Sequence, residues 1–154
     1  MSKDVGISIN GLDPGEMLDT LPDAIRQARG EMLEAIGKQM LSDVQRRIGG
    51  SGRLAGRQEY QLGSGRGYVA VRPKAGVMED GYAIGYVTAA LEHGHPQKAG
   101  RYVPALGAAL VAPRVKGKFM YYDTGRSEAA LAAADELVEF DRRIERHLKG
   151  GGEG

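Results

Sequence analysis

The stretch Leu91-Glu92-His93-Gly94-His95-Pro96 holds two of the chain's three histidines, directly behind a glutamate. Imidazoles and a carboxylate are zinc ligands, taken three or four at a time at about 2.0–2.3 Å. On an extended chain His93 and His95 point to one face, Glu92 and Gly94 to the other. Two ligands can therefore converge, but a third must come from afar. The remaining histidine is His147, there is no cysteine, and no His-Glu-x-x-His occurs. The spacing is read instead as structure. Glu92 ends a strand, Gly94 turns the chain, and Pro96, which has no amide hydrogen, stops the strand from continuing. Nucleophile chemistry fares no better, since no serine stands in a G-x-S-x-G elbow. Gly63-Ser64-Gly65-Arg66-Gly67 has the glycines of a phosphate cradle, but a strand follows where a helix opening with Lys-Ser or Lys-Thr is needed. The expectation is a chain with no catalytic residue, no metal and no cofactor.

Arginines offer a second chemistry. Residues 46–74 carry seven Arg or Lys and one acid, Glu59, and every formal charge from 93 to 118 is positive. Arg53, Arg57 and Arg66 lie on glycine-rich chain, with Arg72 and Lys74 just beyond. Such cations neutralise phosphates without reading sequence, with Tyr60 and Tyr68 as stacking aromatics. They serve equally well against carboxylates of a neighbouring subunit. The net charge of +1 excludes a general polyanion binder. The acids are gathered in the helices and the N-terminal segment.

The elements that must hold these groups follow from periodicity. Val5, Ile7 and Ile9 alternate with small or polar residues, a half-buried strand. Asp13-Pro14-Gly15-Glu16 predicts a short helical turn to about residue 20. A long helix then runs from about 22 to 48. Ile25, Ala28, Met32, Ile36, Met40, Val44 and Ile48 form its apolar stripe. Gly30 and Gly37 inside it are read as tolerated weak points, or as a place where a neighbouring helix comes close. Residues 49–67 read as a long mobile loop. Strands are predicted over 68–72, 82–91 and 115–122, with an irregular stretch over 97–113. A last helix over 126–148 has Ala130, Ala133, Leu137, Phe140, Ile144 and Leu148 as its stripe. The fold class is α+β: a small antiparallel sheet of three to four strands packed by a long N-terminal and a long C-terminal helix. One domain, 1–148, is followed by a flexible glycine-rich tail, 149–154. The start MSKDVGISING is not expected to act as a signal peptide, and no apolar run reaches the ~20 residues of a membrane span.

Several of these features occur together in a known family. They are the long first helix, Gly52-Arg53-Leu54 after it, and the run Tyr86-Val87-Thr88-Ala89-Ala90-Leu91-Glu92-His93-Gly94. Phe119-Met120-Tyr121-Tyr122 then leads into the final amphipathic helix. Over about residues 22–148 the chain resembles the tail-completion family of long-tailed bacteriophages, neck proteins that join head to tail; minor tail proteins of the Z type are similar. The family often has Thr-Gly where Ser51-Gly52 stands and Pro-Phe where Lys118-Phe119 stands, and the stretch 97–115 is longer than usual. The resemblance implies a structural virion protein and not an enzyme. It implies a homo-oligomeric ring, commonly a hexamer, between the head-closure or adaptor ring and the tail tube or tail terminator proteins. Phage DNA would pass through its lumen, with no membrane involved. The expected location is the virion neck, after synthesis in the host cytoplasm. Arg53, Arg57, Arg66, Arg72 and Lys74 would face that DNA or a subunit interface. The alternative is a nucleic-acid-binding accessory protein using the Gly/Arg loop.

Overall fold

The longest element is helix α1, Asp23–Ile48, which Pro22 opens and Gly49 closes at φ +64°. Asp23 in its first turn and Arg46 and Arg47 in its last complement the helix dipole. The computed structural model describes residues 5–11, 21–50, 52–63, 67–96, 102–103, 108–109 and 114–150. Along α1, Ile36, Met40, Val44 and Ile48 are buried as expected, and Ile25 and Met32 are half-buried. The stripe departs from expectation in the N-terminal half. Ala28 is exposed, while Arg29 and Leu33 turn inward, because Arg29 has a buried partner on the last helix.

The helix covers a three-stranded antiparallel sheet built from β1 (Ile7–Asn10), β2 (Gln58–Leu62) and β3 (Tyr68–Pro73), in the order β1-β3-β2. The register sets Ile7 and Tyr60 on either side of Val71, and Ile9 and Leu62 on either side of Val69. These residues share one face, and that face meets Leu33, Ile36, Met40 and Val44 of α1. The opposite face is polar: Ser8, Gln61 and Arg72 are exposed there. A Cβ on Gly37 would lie 2.6 Å from Val69 Cγ2 and 3.0 Å from Tyr60 Cδ2. That glycine therefore marks a close approach, of the sheet rather than of a second helix.

Beyond the sheet come two short strands, β4 (Met78–Glu79) and β5 (Tyr82–Ala83), paired with each other. Helix α2 follows over Ile84–His93. Next, β6 (Gly94–Pro96) pairs with β9 (Arg114–Lys116), and between them β7 (Tyr102–Val103) pairs with β8 (Ala108–Ala109). The chain ends in a short helix α3 (Met120–Gly125) and the long α4 (Glu128–Gly150). Leu137 and Ile144 of α4 are buried and Phe140 is half-buried. Leu137 joins the main core, while Ile144 and Phe140 pack with Leu21 and Ile25. Both long helices thus pack on the small sheet, and the α+β class stands.

Four sequence expectations are corrected. The strand over 82–91 is a two-residue strand followed by α2. Its alternation is equally a helical pattern, since Ile84, Thr88, Ala89 and Glu92 are the buried residues, and short apolar runs do not separate the two periods. The strand over 115–122 breaks after Lys116 and becomes α3, whose first amides are taken by a buried carboxylate. The long loop over 49–67 contains a 3-10 turn at Ala55–Arg57 and all of β2. Strand β2 escaped notice because its inward residues begin with Gln58, which is buried through hydrogen bonds rather than apolarity. The last helix runs on to Gly150 and leaves Leu148 41% exposed, so it is not a stripe residue. The turn expected over 13–20 lies outside the described residues, as do 151–154 of the expected tail.

Candidate functional site

Glu92 is not the end of a strand. It sits in the last turn of α2, 2% exposed, and its carboxylate accepts the backbone N–H of Tyr121 at 2.8 Å and of Tyr122 at 2.9 Å. It therefore takes two of the amides that the first turn of α3 cannot bond internally. Around it a buried polar chain continues. The Tyr121 hydroxyl donates to Gln58 Oε1, and Gln58 Nε2 donates to Thr88 Oγ1 and to the Leu54 carbonyl, each at 3.1 Å. Burial, and then the nearby Glu92 charge, push the Tyr121 phenol far above its ordinary value, so it remains a neutral donor. Gly94, at φ +79°, closes α2 and makes the expected turn. Pro96 is the last residue of β6. This arrangement clamps α2, α3 and β2 together. Among the described residues no group of three or more His, Cys, Asp or Glu is placed to hold a metal ion.

The candidate arginines are distributed over the surface. Arg53 and Arg57 both bridge Glu79 of β4, Arg57 at 3.3 Å. Sequence separation hid this acid, which lies outside the basic stretch and comes to it through the β4–β5 hairpin. Arg72 faces Glu59 at 3.6 Å on the open side of the sheet, where the register sets them opposite. Lys74 is exposed and lines a groove of about 580 Å³ with Arg72, Val77 and Tyr86. Arg66 lies outside the described residues.

Three groups were missed by sequence reasoning. Arg29 and Asp141 form a fully buried ion pair with both carboxylate oxygens engaged at 2.8 Å. Asp43 accepts from Arg47 Nε and Thr124 Oγ1, each at 2.8 Å, and also from Arg46, tying α1 to α3. Exposed aromatics form the third group. Tyr82 and Tyr86 stack with ring centroids 5.8 Å apart and are 59% and 55% exposed. Phe119 and Tyr122 meet edge-on at 6.1 Å, with the Arg126 guanidinium 5.2 Å from the Tyr122 ring. Phe119 is held at φ +52°, a costly backbone state for a bulky side chain. The four-residue spacing of Tyr82 and Tyr86 was the available signal, once 84–93 is helical.

The described residues thus offer an internal clamp and an aromatic, charged exterior. Comparison of the chain with protein-family models, with curated proteins and with solved structures finds no match.

Proposed function

We propose that this chain is a structural subunit of a phage neck, assembling into a ring that joins the head-closure complex to the tail tube and lets DNA pass. The observation that carries the reading is the surface. Met78, Tyr82, Tyr86, Phe119, Tyr122 and Leu131 are each more than 45% exposed; Tyr82 and Tyr86 brace each other by stacking, and Tyr122 is braced by Phe119 and Arg126. Large exposed apolar side chains, two pairs of them in contact, are the kind of surface that marks protein contacts. The polar groups that could do chemistry, Glu92 and Tyr121, are instead consumed in holding helices together. The motifs at 52–54 and 86–94 support the neck assignment within that class. They now fall on a turn and on α2 with its closing glycine.

The nucleic-acid alternative is weakened by Glu79, which already pairs with both Arg53 and Arg57 and offsets half of their charge. Native mass, measured with and without duplex DNA, separates the two readings. A ring subunit gives one fixed multiple of the chain mass whether or not DNA is present. A monomer or dimer that binds DNA, with affinity falling steeply as salt rises, would overturn the proposal.

A further inference from the structure

Three antiparallel strands leave two edges, and two hydrogen bonds reveal which backbone groups those edges present. The Gly63 N–H donates to the Tyr68 carbonyl at 2.8 Å, and the Lys74 N–H to the Arg57 carbonyl at 2.9 Å. Both continue the β2–β3 register. Alternation along the ladder then turns the backbone groups of Glu59 and Gln61 toward β3, and those of Gln58, Tyr60 and Leu62 outward. On β3, Val69 and Val71 are left to bond β1, through Ile9 and Ile7. Strand β1 therefore presents the groups of Gly6, Ser8 and Asn10. Among the described residues no strand pairs with either outer edge. Strand β2 has no lysine, proline or bulge, the devices that keep an edge from pairing.

The helices sort charge above these edges. Helix α1 lies over β2 and β3, and α4 over β1. The Arg29–Asp141 pair sets the N-terminal half of α1 beside the C-terminal half of α4. A groove of about 670 Å³ follows the N-terminal half of α1 down to Leu62 of β2, and its lining includes Asp23, Glu31 and Glu34 against a single cation, Arg26. The C-terminal half of α4 exposes Arg142, Arg146 and Lys149, spaced as one helical stripe; Arg146 and Lys149 also reach Glu139 and Glu145 of the same helix, at 3.2 and 2.8 Å, in exposed pairs that contribute little.

We infer that the partner for this surface is a second copy of the same chain, joined head to tail by β2 of one copy on β1 of the next. The inference rests on the reading of the chain as a ring subunit. Strands β1 and β2 both run antiparallel to β3, so a copy displaced along the sheet brings its β1 parallel to β2. With the sheet kept level, Tyr60 stands opposite Ile7 of the second copy. Its N–H donates to that copy's Gly6 carbonyl, and its carbonyl accepts that copy's Ser8 N–H. Both side chains stay on the helix side, so the buried face continues unbroken. The same displacement lays the cations of α4 along the acids of α1. Pairing β2 with β2 would bring α1 against α1, acids against acids, and leave the cations of α4 away from the contact. A head-to-tail contact closes into a ring when its rotation closes.

The chain has no cysteine, which makes the test direct. Ser8 and Gln61 are exposed and stand level on either side of Ala70. In the pairing described, Gln61 meets Ser8 of the next copy. The full-length double variant Ser8→Cys, Gln61→Cys is oxidised beside each single variant, and the native mass of every sample is recorded. The expected result is a ladder of disulfide-linked multimers from the double variant and none from either single variant. Asp23→Lys with Glu31→Lys should weaken association by about tenfold or more, and adding Arg142→Glu with Arg146→Glu should restore it. Covalent dimers from Gln61→Cys alone would overturn the head-to-tail pairing in favour of β2 on β2. Defined oligomers with no cross-link would overturn the edge contact and leave the neck reading standing. A chain that stays monomeric throughout would overturn both the contact and the ring.

Discussion

Glu92 changes meaning between sequence and structure. In the sequence it stands beside two histidines and invites a metal. In the fold it faces away from solvent and holds two free amides in the first turn of α3, those of Tyr121 and Tyr122. The two roles are chemically close, since both need a carboxylate among donors, and only the position of residues 121 and 122 decides between them. Glu92→Gln keeps the shape but exchanges one acceptor oxygen for a donor facing an amide. Thermal or denaturant unfolding should show a loss of about 1–3 kcal/mol. A stability equal to that of the parent would mean that the cap carries no weight. Asp43 gives a pH signature. Burial opposes its charge, but hydrogen bonds from Arg47, Arg46 and Thr124 outweigh it and lower its pKa from 3.8 to about 2. Because the folded value lies below the unfolded one, this stabilisation is present above about pH 3.8 and is lost as pH falls through about 2. Asp43→Asn should flatten the stability curve across that window. An unchanged acid limb would remove Asp43 from the account. The cap was not legible beforehand, because Glu92 finds its partners 29 and 30 residues away; Asp43 has local partners in Arg46 and Arg47, but its tie to Thr124 spans 81 residues.

Long elements were readable where a period repeats often enough. Helices α1 and α4 each give five or more turns of pattern, and β1 and β3 alternate cleanly. The shorter elements were not readable. Helix α2 spans 10 residues, too few to separate a helical from an alternating pattern, and β2 hides because it buries a glutamine. The packing between elements supplies two measurable claims. Gly37→Ala gains up to ~1 kcal/mol of helix propensity but drives a methyl into Val69 and Tyr60. Overpacking of a tight core costs about 1–3 kcal/mol, so net destabilisation is expected, and a higher melting temperature would show that the sheet gives way. Arg29 and Asp141 pin the long helices to each other across 112 residues of sequence. Arg29→Met alone strands a buried carboxylate and should cost about 3–5 kcal/mol. Adding Asp141→Leu should recover most of it. Equal losses in the single and double variants would show that the pair does not act as a unit.

At the scale of the whole molecule, a near-neutral total conceals a sorted surface. Basic turns beside the β4–β5 hairpin, an acidic groove on α1 and a basic end on α4 give the chain distinct sides, as the proposed head-to-tail assembly requires. Arg53→Ser with Arg57→Ser breaks two partly exposed ion pairs and should change monomer stability by no more than about 1 kcal/mol each. If these arginines serve the assembled neck, the same variant should impair the joining of heads to tails. Normal particle yield would make them surface ion pairs only. Composition and periodicity were enough for the α+β class, but the surfaces proposed for assembly arise from residues brought together by the fold. The most direct test of the neck proposal is electron microscopy of particles from a phage carrying this chain, with the chain gold-labelled through a C-terminal tag. The expected result is a label confined to the junction between head and tail. A label elsewhere on the particle, or purified particles that lack the chain, would contradict it.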